Sequence, residues 1–192
     1  MGHKFAELAF TDTVKQLQKA DGSRKSYARM EAGEDSNNVL TDREEAFIGA
    51  RDSFYMATVS ETGWPYVQHR GGPGGFVRVI DQKTLGFPDF SANRQFVSTG
   101  NLQVDDRLLL YPNKARLKLL GRVKTSKDPE ILESLALEGC SAKIERAFLI
   151  DVAAFDWNCP QHITPRFTVE DTDSAVAPLQ ARIAELEAAQ AR

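Results

Sequence analysis

The sequence predicts a mainly β protein of the α+β kind: an antiparallel barrel with flanking helices. Three observations carry this. From Ser53 the hydrophobic pattern changes to a period of two. Roughly six runs of that kind follow one another on short turns, and few helical stretches lie between them. A doubly wound parallel sheet would instead need a long crossover between successive strands.

Residues 1–51 read as polar and helical. In TDTVKQLQKADG, Thr11 offers an N-cap and Gly22 a C-cap signal. In TDREEAFIGARD, Thr41 is followed three residues later by Glu44, which makes a capping box. EAGEDSNN, between the two, is a loop. SFYMATVS, ETG and WPYVQHR then read as strand, tight turn and strand, with Gly63 suited to a positive φ. GFVRVID and KTLGF form a second hairpin around the DQ pair. SANRQFVSTGNLQ breaks the alternation and suits a helix, with Ser91 near its cap and Arg94 in its first turn. DRLLLYPN and KARLKLLGRVKTS resume strands, DPEILESLALEG is a short helix ending at Gly139, and IERAFLIDVAAFDW is a final long strand. The tail from Asp171 places Val176, Leu179, Ile183 and Leu186 at spacings of three, four and three, an amphipathic helix. That stripe packs on its own domain or on a partner subunit; two heptads are short for a coiled coil. The expected organisation is a helical segment over 1–40, a barrel domain over 41–170 and a terminal helix over 171–192.

With 192 residues the chain can bury a core, and 42% hydrophobic with 27% charged residues is ordinary for a globular protein. A formal net charge of −3 gives no overall basic character, so nucleic acid is not an expected partner. No apolar run approaches the roughly 18 residues of a membrane span, and the N-terminus lacks an apolar leader, so the expected location is cytoplasmic with no membrane partner. Cys140 and Cys159 lack the spacing of a zinc site or disulfide framework and read as inert thiols. His3, close to the terminus, is expected to be disordered. His69 and His162 show no metal-ligand spacing, so no metal is expected.

Several stretches carry chemistry. QHRGGPGGFVRVI sets Gln68, His69 and Arg70 beside four glycines and then resumes a strand, although glycine weakens strands unless a backbone or ligand must come close. Between Arg107 and Lys127 lie seven basic residues and no acidic one. Lys114, Arg116 and Lys118 alternate with apolar residues, which on a strand separates the cations onto one face. That face is either solvated or an anion site. In the predicted helix start SANRQ, Asn93 and Arg94 together could hold a phosphate, since free N–H groups and the helix dipole favour an anion there. Trp157, in DWNCPQHI, is followed by polar groups just beyond a strand end, which suits a ligand wall better than a core filler. GxSxG, GxGxxG and Walker A patterns are absent, which weighs against hydrolases, dehydrogenases of the Rossmann type and kinases.

Taken in order, HRGGPGGF, DFSANRQ, GNL and WNCPQHI resemble the flavin-nucleotide-binding proteins related to pyridoxamine 5′-phosphate oxidase, over about Thr41 to Val169. The resemblance implies an antiparallel FMN-binding split β-barrel, a homodimer with FMN at the subunit interface, and a small-molecule substrate or reductant. It implies that Gln68, His69, Arg70, Phe76 and Val77 contact the cofactor, the glycines letting backbone approach it. Phe87 and Asp89 would line the same edge. Asn93 and Arg94, seven or eight residues before Asn101, match the pair that holds the FMN phosphate. Arg116, five positions ahead of a turn at Gly121, matches a further polar contact. Trp157 would touch the flavin with Gln161 and His162 nearby, and His162 is the candidate catalytic proton donor. The family's Arg-x-His substrate element is not matched: after Trp157 the chain reads NCPQHITPRF, with Arg166 following His162. The resemblance therefore implies an FMN-dependent oxidoreductase of unassigned substrate. The alternatives are a flavin-binding or storage module without turnover, and a split barrel holding haem or a deazaflavin.

Overall fold

The computed structural model describes residues 2–34, 36–91, 93–112, 117–157 and 167–190. The chain divides into two units, Met1–Cys159 and Pro160–Arg192.

Four helices precede the sheet: α1 (Lys4–Ala9), α2 (Asp12–Asp21), α3 (Arg24–Glu31) and α4 (Asp42–Gly49). Local chemistry sets their ends. The Thr11 hydroxyl accepts from the Val14 N–H at the start of α2, and Gly22 closes it at φ +84°, where a side chain would be strained. The expected capping box between Thr41 and Glu44 opens α4. His3 corrects an expectation: it is not disordered. Its N–H donates to the Met30 carbonyl at 3.2 Å, and its half-buried ring lies 3.8 Å from Asp156. A terminus held by such contacts stays ordered.

Seven strands follow, against a rough count of six: β1 (Ser53–Val59), β2 (Pro65–Gly71), β3 (Arg78–Asp81), β4 (Thr84–Phe90), β5 (Arg107–Pro112), β6 (Leu117–Ser126) and β7 (Ile144–Trp157). Helix α5 (Val97–Val104) separates β4 from β5, and α6 (Pro129–Ser134) separates β6 from β7. Gly63 takes the positive φ, +84°, that the β1–β2 turn requires. All strands form one antiparallel sheet in the order β2-β1-β5-β6-β7-β4-β3.

The sheet curls. Phe54 on β1 and Phe87 on β4 stand four strands apart in that order, yet their rings meet edge to face at 5.1 Å. Phe87 also stacks on Phe148 of β7 at 5.0 Å, and Phe54 on Phe76 at 5.5 Å. These four buried rings close the barrel interior with side chains where the ladder ends at β2 and β3. Truncating one of them to alanine would cost about 3–5 kcal/mol.

Three local readings need correction. Helix α5 starts at Val97, so Arg94 lies ahead of it and not in its first turn. Arg94 and Phe96 adopt φ of +61° and +55°, outside helical space, and the Asn93 carboxamide accepts from the Gln95 N–H at 3.2 Å in a local turn that competes with the helix. Helix α6 ends at Ser134, with Gly139 (φ +73°) in the connection beyond it and not at its cap. Gly121 is not at a turn but inside β6, at a register shift between Leu120 and Gly121.

In the second unit, α7 (Val169–Gln190) begins before Asp171. The reason is a cap: the Thr168 hydroxyl accepts from the Asp171 N–H at 3.0 Å, while the Asp171 carboxylate accepts from the Thr168 N–H at 2.9 Å. Among the described residues no helix is long and apolar enough to cross a membrane.

Candidate functional site

Strand β2 alternates across the sheet. Gln68 and Arg70 pair with the buried positions Met56 and Phe54 of β1 and point inward, while Val67 and His69 point outward. The inward pair opens into a cleft of about 440 Å³ of empty space, part of it open to solvent. Its other walls are Asp89 and Phe90 at the end of β4, the loop from Asn93 to Phe96, the first turn of α5, and Glu145 at the start of β7.

The cleft floor is ionic. Arg70 Nη1 donates to Asp89 Oδ1 at 2.6 Å, and Arg146 Nε lies 3.2 Å from Asp89 Oδ2. Asp89 is 7% exposed, so this carboxylate bridges β2 and β7 through two guanidiniums across the seam of the sheet. The Arg70 guanidinium also lies 5.5 Å from the centre of the Phe148 ring. Its Nε is buried without a hydrogen-bond partner, which is costly unless a ligand supplies an acceptor. A hydrogen bond from Ser91, with Arg146 and Arg94 nearby, holds the Glu145 carboxyl below the usual glutamate value.

The rim is a strained loop leading into a helix. Two non-glycine residues in left-handed conformation, Arg94 and Phe96, flank Gln95, and no side chain caps α5. Backbone held this way persists only where the surroundings over-determine it, and it clusters at ligand sites. Ser98 Oγ donates to Gln68 Oε1 at 2.8 Å, which commits the carbonyl side of that amide and leaves its NH2 to donate. Buried Asn101 donates to Thr58 Oγ1 at 3.0 Å and pins α5 to β1.

Of the residues singled out from the sequence, Gln68, Arg70, Asp89, Asn93 and Arg94 converge on this cleft. Phe76, Val77 and Phe87 do not: they belong to the buried core, with Phe87 packed against Phe54 and Phe148. His69 faces the outside of the sheet, its ring 5.5 Å from that of Tyr55. Trp157 sits elsewhere, with its Nε1 donating to Glu44 Oε1 at 2.7 Å and its ring against Phe47 at 4.9 Å. Arg116, Gln161 and His162 lie outside the described residues. The glycine run also has an internal reason: a Cβ on Gly72 would come within 2.8 Å of the Phe76 ring, so the close approach there is the protein to itself. On β6, Lys118 and Arg122 are paired with Asp156 and Asp106.

Ser98, Thr99, Glu145 and Arg146 join the site only through the fold. The available signal was polar residues in an otherwise apolar stretch: Ser98 and Thr99 are 1% and 8% exposed, which only the fold reveals.

A model of the pyridoxamine 5′-phosphate oxidase family matches residues 40–158 of this sequence. The chain belongs to that family. No curated protein sequence matches it. Among solved structures, HupZ of Group A Streptococcus is similar at 14% identity over 60% of this chain and 91% of that one, with a TM-score of 0.48. An FMN-binding protein from Syntrophomonas wolfei is 10% identical over 77% of this chain and 99% of its own, with a TM-score of 0.43. A Clostridium acetobutylicum protein of the pyridoxinephosphate oxidase family is 13% identical over 67% and 93%, with a TM-score of 0.47. Membership in the pyridoxamine 5′-phosphate oxidase family agrees with the single curled antiparallel sheet and its flanking helices.

Proposed function

We propose that this member of the pyridoxamine 5′-phosphate oxidase family binds FMN in the cleft and acts as a flavin-dependent oxidoreductase on a small molecule. The observation that carries the reading is the convergence of Arg70, Arg94 and the uncapped start of α5 on one cleft, beside strained non-glycine backbone. The donor set fits a flavin nucleotide. A phosphate would take charge-assisted bonds from Arg94 and from N–H groups of the α5 start, with Asn93 beside them. The NH2 of Gln68 would meet the ring's carbonyl edge, and Arg70, held by Asp89, would present its unpaired Nε. Bound FMN supplies hydride or electron transfer, and the chain's own residues orient it and tune its electronics. Arg116 and Gln161 complete the proposed contacts, with His162 as proton donor.

The reading includes a homodimer with the cofactor at the subunit interface. Apolar side chains left exposed on the outward face of β1 and β2, Tyr55, Val59 and Val67 at 42%, 41% and 60%, with Trp64 at 75% in the turn between them, support pairing of subunits. The cofactor's place at the interface follows from the family resemblance alone. The expected location stays cytoplasmic.

The test is the visible spectrum of the purified protein before and after loading with FMN and removing the excess. Retained flavin bands, followed by bleaching with NAD(P)H and oxygen uptake, are the expected result. A protein that never retains FMN overturns the reading, and flavin retained without turnover makes it a storage module. Arg94→Ala should weaken FMN binding by about 1.5–3 kcal/mol, roughly 10- to 150-fold, by removing a charge-assisted contact. Unchanged affinity would move the phosphate elsewhere.

A further inference from the structure

The second unit is, in its described part, a single helix with an apolar stripe and no second element of its own to bury it. Because α7 starts at Val169, its repeat is a heptad longer than the spacing of Val176, Leu179, Ile183 and Leu186 alone suggests. Set in heptads, position a holds Val169, Val176 and Ile183, and position d holds Thr172, Leu179 and Leu186. β-branched residues at a with leucine at d favour two parallel strands. We propose that α7 pairs with α7 of a second copy of this chain as a parallel, in-register, two-stranded coiled coil.

Charge complementarity selects this occupant and orientation. Arg182 falls at g and Glu187 at the following e, so in the parallel register Arg182 of one copy faces Glu187 of the partner subunit. Its bond within one helix, to Glu185 at 2.8 Å, joins two side chains that are each 66% exposed and is readily exchanged. Pro178, inside the helix, occupies position c, away from the seam. A lipid surface is a poor occupant, because the helix carries five carboxylates and a single cation, and surface-bound helices carry Lys and Arg on their polar face. At about 1.5 Å per residue the 22 residues span roughly 33 Å, enough for three heptads. Three heptads are marginal alone. Tethering by barrels paired as proposed above would raise their effective concentration. The proposal does not depend on what the cleft binds.

The test is disulfide trapping in the full chain with Cys140 and Cys159 changed to Ser. Under mild oxidation Leu186→Cys, at d, should cross-link two copies at least tenfold faster than Ala188→Cys, at the outward position f. Adding Arg182→Glu should slow that cross-link, and Arg182→Glu with Glu187→Arg should restore it. Equal rates at the two positions, or no cross-link at 186, overturn the proposal, as does a rate insensitive to reversing Arg182.

Discussion

Replacing Asp89 by alanine should be among the most damaging single changes to the barrel. The carboxylate accepts from Arg70 Nη1 at 2.6 Å on one oxygen, and Arg146 Nε lies 3.2 Å from the other as an ion pair. The three side chains are 18%, 10% and 15% exposed for Arg70, Asp89 and Arg146, so the charges left behind have little access to water. Removing one partner of a buried pair costs about 3–5 kcal/mol, because the remaining charge stays desolvated and uncompensated. Here two guanidiniums are left facing each other. For a chain of this size each kcal/mol lowers Tm by about 2–4 °C, so Asp89→Ala should lose roughly 6–20 °C. Asp89→Asn keeps the shape and one acceptor oxygen and should lose less. Urea melts of Asp89→Ala, Arg70→Met and the double variant then isolate the pair: their effects should fall short of additive by about 0.5–3 kcal/mol. A Tm for Asp89→Ala within about 2 °C of the parent, or strict additivity in the cycle, would refute the idea that this carboxylate closes the seam.

Three further outcomes follow from contacts elsewhere. Trp157→Phe removes the Nε1 donor from Glu44, a carboxylate only 3% exposed, and should cost about 1–3 kcal/mol in urea. Burial alone would raise the Glu44 carboxyl, but hydrogen bonds from Thr41 and Trp157 outweigh it and hold it below the ordinary 4.5. A carboxyl so depressed contributes stability that is full above pH 4.5 and lost as pH falls through the folded value, so the parent should lose more stability than Trp157→Phe on acidification below 4.5. Parallel acid titrations of the two proteins would contradict this. Gly121→Ala places a Cβ 2.8 Å from the Asp151 carbonyl and 2.5 Å from Ile150 Cγ2, and should destabilise β6 against β7 by about 1–3 kcal/mol, measured by thermal melting; a neutral Tm would mean the bulge absorbs the methyl.

What could be read from the sequence divides by physical range. Capping at Thr11, Thr41 and Gly22 is decided within a few residues, and each signal stands in the structure where the sequence has it. Strand alternation is equally local, so Gln68 and Arg70 are separable from His69 once β2 is recognised. SANRQ satisfies helix-start preferences, yet α5 begins only at Val97, because the left-handed Arg94 and Phe96 reflect the surroundings of the loop and not its own preference. Phe76, Val77 and Phe87 look the same in one dimension whether they face a ligand or each other. Only the curl of the sheet, which brings β1 against β4, assigns them to the core. The same curl brings Arg70 to Asp89, while the β4–β7 ladder sets Arg146, fifty-seven positions further along the chain, directly opposite it, so that one carboxylate anchors two arginines. The cleft is thus built where the hydrogen-bonded ladder stops: at the seam, side chains take over the closure from backbone pairing, and the polar groups that do so are those left within reach of a ligand.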